Sequence, residues 1–449
     1  MLSALLAVTV AASPGQQIAF EKYTLPNGLT VILSEDHRLP HVAVNVWYRV
    51  GAANQRPGRS GFAHLFEHMM FAGSKHVGSN TLQLFEQVGA RAGSAVNGTT
   101  NLDRTNYFEL LPSPELPLAL WVEADRMGFL TLDAEKLRIQ RDVVSNERRQ
   151  SYENRPYGRA TLRLCDLLYP KPHPYFHCVI GELSDIQSAS VEEVQDFFRE
   201  YYPPSNASLV IAGDFDTATA KRLVALYFGA LTQKPRPPPP EVRVSARAGP
   251  RRERLEDPLV HVSRVTLAWP GVTPYAPDER AGDVAAVILG DGRTSRLYRD
   301  LVVQQQVASS VSASNVSARL TGWFSLTATA TAQPGADEAA LTALLLSHAQ
   351  KLATAGPTPA ELSRAKRQLL AERLRRLQKI GGFGGQADML NEYEMYTGDA
   401  GFFPADLRRI KAVTAEDVKR FLVEHLHDDR RIELWTVPQP AQSPGANPS

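Results

Sequence analysis

Gly61-Phe62-Ala63-His64-Leu65-Phe66-Glu67-His68-Met69-Met70-Phe71 is the stretch from which the rest of the chain is read. Inside it, His64-Leu65-Phe66-Glu67-His68 has the spacing H-x-x-E-H, the inverted form of the H-E-x-x-H metal-binding pattern. On a helix, two histidines four apart project from one face, one turn above the other, so both imidazoles can reach a single divalent ion. Glu67 follows His64 by three residues and lies on nearly the same face. Two nitrogen ligands, an open coordination position and a nearby base are what metal-assisted hydrolysis requires. Phe62, Leu65, Phe66, Met69, Met70 and Phe71 make the run strongly apolar. The alternative, a pair of merely packed histidines, would bury two imidazoles and a carboxylate there at a cost that a metal would offset.

The chain has 449 residues, too many for one core, so two domains are expected. Hydrophobic content is 43% and charged content 22%, both ordinary for a globular protein. A formal net charge of +1 leaves no basic excess for nucleic acid. Beyond the first few residues no apolar run is long enough to span a bilayer. Residues 1–12 are apolar, and Val10-Ala11-Ala12 before Ser13-Pro14 resembles a signal-peptidase site, although a basic n-region is missing. Export, to a periplasm or beyond, is the expectation. Cys165 and Cys178 are the only cysteines and form no C-x-x-C pair. They make one local disulfide in an exported protein or remain two separate thiols.

Outward from the histidine run, Leu25 to Leu33 reads as a turn and a strand, and His41 to Gly51 as a second strand rich in β-branched residues. Ser79-Asn80-Thr81 caps a helix over Leu82 to Val88 that stops at Gly89. Ala95 to Thr100 and Thr105 to Leu111 are extended around a polar turn. Leu116 to Leu130 is helical, and Asp133 opens a long helix running past Glu147. A helix over Val191 to Tyr202, a strand over Ala207 to Asp214 and a helix over Thr217 to Tyr227 complete the first half. Lys234-Pro235-Arg236-Pro237-Pro238-Pro239-Pro240 is the clearest punctuation, an extended spacer. The second half repeats the pattern in outline: strands over His261 to Trp269 and Trp323 to Ala330, helices over Glu279 to Leu289, Asp337 to Ala353 and Pro359 to Leu377. Ile380 to Gly385, rich in glycine, ends a helix or serves as a hinge. The predicted class is α+β: a domain over residues 18–232, a linker at 233–242, a second domain of related architecture at 243–440 and a tail at 441–449.

A catalytic zinc has three protein ligands, so a third lies outside the run. Glu147 is the candidate, in Gln140-Arg141-Asp142-Val143-Val144-Ser145-Asn146-Glu147-Arg148-Arg149-Gln150. Periodicity alone favours a solvated glutamate paired with Arg148 or Arg149.

Taken together, Gly61 to Ser74, the Asn97 segment, Arg141 to Gln150 and Tyr201 to Asp214 resemble the pitrilysin/insulinase zinc-peptidase family, most of all its short branch that includes the mitochondrial processing peptidase. The likeness covers residues 20 to 235 well and the second half more loosely. It implies that His64, His68 and Glu147 are ligands of one zinc ion and that Glu67 is the general base. Many relatives carry a second glutamate seven residues before the third ligand; Gln140 stands there, an amide that can hydrogen-bond but brings no charge. Gly93 to Thr100 matches the edge strand on which relatives hold substrate, with Asn97 at the family position and Gly98 in place of the usual alanine. An extended peptide can add to such an edge through backbone groups, although Asn97-Gly98 is also a turn signal.

Catalytic relatives also bring an arginine and a tyrosine to the substrate carbonyl from the second half. Val302 and Ser309 occupy those positions, and neither can replace such donors beside a developing oxyanion. Arg296 and Tyr298 belong to the preceding helical segment. The resemblance therefore implies half of a clamshell: a zinc endopeptidase subunit of a heterodimer whose homologous partner supplies the arginine and tyrosine, the alternative being a homodimer or monomer of weakened activity. The competing readings are a noncatalytic structural subunit, which intact His64, Glu67, His68 and Glu147 argue against, and a peptide-binding subunit, which the missing pair keeps open.

Overall fold

The structure is a computed structural model and describes residues 17–79, 81–240, 250–332 and 338–440. Residues 1–12, the tail 441–449 and the end of the linker at 241–242 lie outside them, as does Asp337 at the expected start of a helix. Two mixed sheets with packed helices make an α+β architecture, the class expected.

The first sheet holds β1 (Glu21–Thr24), β2 (Thr30–Glu35), β3 (His41–Tyr48), β4 (Val96–Thr100), β5 (Thr105–Pro112) and β6 (Ala207–Gly213), in the order β1-β2-β6-β3-β5-β4. Only β2 and β6 run parallel. β3 and β6 sit in the middle, and all of their residues except His41 are buried, as near-continuous apolar strands covered on both faces should be. On one face Ile32, Ala43, Val210 and Ala212 pack with Ala387 and Leu390 of the helix Gln386–Thr397. The alternate residues of the strands face the helices Phe62–Met69 and Leu116–Phe129. β4 is the sheet's outer strand. The glycine-rich segment before the helix Gln386–Thr397 carries Phe383, stacked edge-on against Phe108 of β5 at 4.9 Å.

The second sheet holds β7 (Arg251–Asp257), β8 (Arg264–Pro270), β9 (Ala308–Val316), β10 (Trp323–Ala330) and β11 (Ile432–Pro438), in the order β7-β11-β8-β10-β9. Its core gathers Leu267, Trp269, Phe324 and Leu326 with Val284 and Ile288 of the helix Glu279–Gly290 and Phe421 of the helix Ala415–His425.

Set strand against strand in chain order, the sheets repeat one topology. β2, β3, β4, β5 and β6 correspond to β7, β8, β9, β10 and β11, and the spatial order is the same. The directions match as well: β2 with β6 and β7 with β11 are the parallel pairs, and all the other pairs are antiparallel. The helix Glu279–Gly290, between β8 and β9, is the counterpart of the histidine helix between β3 and β4. It carries no histidine.

The proline-rich run divides the strands between the sheets, while the two compact units interleave along the chain. Leu370–Arg409, with the helix Gln386–Thr397, belongs to the first unit, and Glu147–Lys171, with the helix Gly158–Leu168, to the second. Cys165 and Cys178 are both disulfide-bonded and, as the only two cysteines, are bonded to each other.

Candidate metal centre

The helix Phe62–Met69 begins at Gly61, whose φ of +81° is left-handed. A Cβ there would also come within 2.7 Å of the Ile180 carbonyl oxygen, so glycine is the residue the turn admits. Just before it, the backbone N–H and the hydroxyl of Ser60 donate to Asp185 at 2.9 and 2.6 Å. Phe62 and Phe66 turn one face of the helix onto the helix Val191–Tyr201 and the tyrosine after it: Phe62 stacks on Phe197 at 6.2 Å and Phe66 on Tyr202 at 4.2 Å. Burying each ring contributes roughly 1.5–3 kcal/mol. That packing fixes the rotation of the helix and hence the direction of the face bearing His64, Glu67 and His68.

Glu147 lies in the last turn of the helix Ala134–Arg148, whose body belongs to the first unit. One ligand atom from each of His64, His68 and Glu147 lies within 4.8 Å of the others. The two imidazole rings sit 4.8 Å apart, nearly perpendicular. His64 is buried, while His68 and Glu147 are half-buried. Two imidazole nitrogens and a carboxylate oxygen from facing helices are a donor set suited to zinc with a position left open to water or substrate. A π-helical turn, Arg149–Glu153, follows the carboxylate directly, a distortion that recurs near functional sites. In it, burial and then Glu147 push the Tyr152 phenol upward.

Glu67 is buried, 8% exposed, and its Oε2 accepts the hydroxyl of Thr100 at 2.6 Å. Gly98 lies two residues earlier on β4, on the same face, and a Cβ there would come within 3.0 Å of Glu67 Cγ, 3.1 Å of Phe71 and 3.2 Å of Glu67 Oε1. Asn97 points the other way; its amide donates to the Gly93 carbonyl at 3.1 Å and its Oδ1 accepts the Gly98 N–H at 2.8 Å. The Asn97-Gly98 pair is thus strand, not turn, in β4. Gln140 is half-buried two turns before Glu147 on the same helix.

The ladder of β4 can be phased from its ends. Leu110 N–H donates to the Ala95 carbonyl, and Asn101 N–H to the Arg104 carbonyl. Odd-numbered residues of β4 therefore turn their backbone groups to β5, and Gly98 and Thr100 turn theirs to the open edge.

In the second unit, Val302 packs against the core from the helical segment Tyr298–Gln304. Ser309 is the second residue of β9, with its hydroxyl on the carbonyls of Thr329 and Ala330, at 3.3 and 3.1 Å. Arg296 is held in a two-pronged pair with Glu361, both contacts 2.8 Å, and holds that carboxyl down at about 2. The arginine is thus engaged structurally. Sequence reasoning passed over Thr100: its place two residues beyond Gly98 on one strand face was readable, but its Glu67 partner was not. Among the described residues a second group, Asp278, Glu424 and His425, also brings ligand atoms within 4.8 Å. There His425 Nε2 already bonds Asp278 at 2.5 Å and Glu424 is exposed.

Two family models match the chain: "Insulinase (Peptidase family M16)" over residues 30–165 and "Peptidase M16 inactive domain" over residues 188–369. A zinc protease of Helicobacter pylori, PqqE, is 29% identical over 390 residues, 86% of each chain. The beta subunit of the mitochondrial processing peptidase of Blastocladiella emersonii is 25% identical over 414 residues, 90% of this chain and 85% of that one. The crystal structure of a protease from Helicobacter pylori superposes with a TM-score of 0.86 at 25% identity, covering 94% of this chain and 100% of that one. The paired sheets, the inverted motif helix and these matches lead to one assignment: the chain belongs to the M16, or insulinase, family of peptidases.

Proposed function

We propose that this chain is a zinc-dependent endopeptidase subunit that cuts extended peptides or unfolded segments, with His64, His68 and Glu147 holding one zinc ion. The observation that carries the reading is the approach of those three ligand atoms to within 4.8 Å, with Glu67 on the same helix turn. Relatives named zinc proteases support the metal. Bound there, zinc supplies a Lewis acid that polarises a peptide carbonyl and makes a water molecule acidic. Glu67 takes a proton from a water molecule as its oxygen bonds the peptide carbonyl carbon, and returns that proton to the amine nitrogen as the C–N bond breaks. The peptide lies along the open edge of β4, where the outward backbone groups of Thr100 and the carbonyl of Gly98 pair with it while Asn97 Oδ1 holds the Gly98 N–H, so side-chain selectivity is loose.

Val302 and Ser309 leave the substrate oxyanion without an arginine and a phenol from this chain, so a homologous partner supplies them and the working enzyme is a heterodimer. Among the described residues no helix is long and apolar enough to cross a membrane. The apolar N-terminal residues and the Cys165–Cys178 disulfide support an exported, oxidising setting such as the periplasm.

The test measures bound zinc and cleavage of an unfolded polypeptide, with and without a homologous chain that carries the arginine and tyrosine. Wild type should hold one zinc and cleave faster with the partner. Glu67→Gln should keep the zinc and lose roughly 10²–10⁴-fold in rate. A Glu67→Gln chain that cleaves normally overturns the mechanism. Zinc retained with peptide bound but uncut, partner present, favours a peptide-binding subunit.

A further inference from the structure

Between the metal-facing helix and the substrate edge stands β4, and its two inward residues differ in what they do to the same carboxylate. Thr100 donates its hydroxyl to Glu67 Oε2 at 2.6 Å. Gly98 presents nothing, and any Cβ there would press within 3.2 Å of Oε1 and within 3.0 Å of Cγ. Oε2 is thus tethered, and the same carboxylate keeps its place only because residue 98 has no Cβ.

We propose that Thr100 is a positioning residue for the general base: its hydroxyl fixes the rotamer of the Glu67 carboxylate, and the missing side chain at Gly98 leaves that rotamer its space. This inference rests on the zinc-peptidase reading and deepens it. Three observations support the division of labour. Thr100 donates its hydroxyl and Glu67 accepts it, and a hydroxyl bond to an ionised carboxylate is among the stronger side-chain hydrogen bonds. Glu67 is buried, so a tethered carboxylate there holds its rotamer against packing rather than against water. Finally, the phase of the β4 ladder turns the Thr100 side chain and the bare Cα of Gly98 to Glu67 and their backbone groups to the open edge. The residues that seat the base are the residues on which the peptide would pair, so one strand fixes the distance from base to scissile carbonyl. A misplacement of about 1 Å in such an arrangement costs on the order of a hundredfold in rate.

The experiment compares wild type, Thr100→Val, Thr100→Ser and Gly98→Ala for zinc content, kcat and KM on one peptide, with crystal structures of the zinc-loaded chains as the readout independent of turnover. Valine keeps the shape and removes the donor; serine restores it. Thr100→Val should hold wild-type zinc and KM, lose roughly ten- to hundredfold in kcat and show the Glu67 carboxylate rotated away. Thr100→Ser should recover most of the rate, and Gly98→Ala should displace Glu67 and lower kcat. Wild-type kcat in Thr100→Val, or a Thr100→Ser chain as slow as the valine variant, overturns the positioning role alone. A wild type that neither binds zinc nor cleaves overturns the proposed function, and this inference with it.

Discussion

At the scale of single residues, the site divides into what spacing announces and what only placement reveals. His64, Glu67 and His68 are legible because a helix's own geometry puts them on one face. Glu147 is not: it is half-buried on a helix rich in charged residues, beside Arg148 and Arg149, and nothing in its periodicity distinguishes it from a solvated glutamate. Its part depends on where the helix Ala134–Arg148 ends, which is a tertiary fact. The resemblance to a family, not the pattern, singled it out. Glu147→Gln tests that part directly. The amide is nearly isosteric but a poor zinc ligand, so affinity should fall by more than roughly a hundredfold, the upper range for losing a mere supporting hydrogen bond. Titration with a competing chelator measures it. An unchanged affinity would remove Glu147 from the metal's shell. Thr100 was missed for a related reason: threonine in a strand is ordinary, and only the register of β4 against the helix Phe62–Met69 gives it a partner.

At the scale of elements, the strand β5 and the helix Leu116–Phe129 enclose a charged group that no motif announces. Arg126 is 1% exposed and bonds Glu123 through Nε at 2.8 Å and Glu109 through Nη2 at 3.1 Å, with its guanidinium 4.4 Å over the Tyr107 ring. One cation faces two buried carboxylates. Burial pushes the Glu109 carboxyl up to about 7 against the pull of Arg126. The consequence for stability has a definite sign. The folded chain holds the Glu109 proton to about pH 7, whereas the unfolded chain releases it near 4.5. Between those values the native state binds more protons, so stability falls as pH rises through the window and is level above it. Urea unfolding at pH 5, 6, 7 and 8 should show that decline, and Glu109→Gln, always neutral, should flatten it. A variant with the wild-type slope would assign the pH dependence elsewhere. The elements themselves were mostly readable. β3, β5, β6, β10 and the helices after Thr217 and Glu279 follow period and caps. β7 was not, because Arg251–Asp257 reads RRERLED: a charged strand whose place is set by parallel pairing with β11.

At the scale of the whole molecule, a repeated topology has been given unequal chemistry. Both sheets share strand order and direction, and each places a helix between its second and third corresponding strands, yet only the first carries a histidine pair there. Residue identity between the halves is weak, so the repeat emerges from pairing rather than from letters. Pairing also explains why the chain cannot be cut at its proline run. The helix Gln386–Thr397, far beyond residue 240, is built into the first sheet. Asn391 donates to the Asn45 carbonyl at 3.0 Å and to the Asn45 side chain at 2.9 Å, and accepts Ser208 Oγ at 2.7 Å. Gln386 donates to Ser34 at 2.9 Å, and Lys22 pairs with Glu394 at 2.7 Å. A fragment ending at residue 240 keeps every strand of the first sheet and all four proposed site residues, yet it exposes Ile32, Ala43, Val210 and Ala212 and strips the Asn391 partner from the buried polar groups of Asn45 and Ser208. Each orphaned group costs about 1–3 kcal/mol, and a domain's whole margin is only about 5–15 kcal/mol. The fragment should therefore unfold without a sharp denaturant transition and bind zinc poorly, and a longer chain that retains residues 370–409 should regain both. Circular dichroism in urea with zinc titration decides it. A cooperative, zinc-binding fragment of residues 17–240 would mean that the sheet stands without its borrowed helix, and that the interleaving of the two units is incidental to the site.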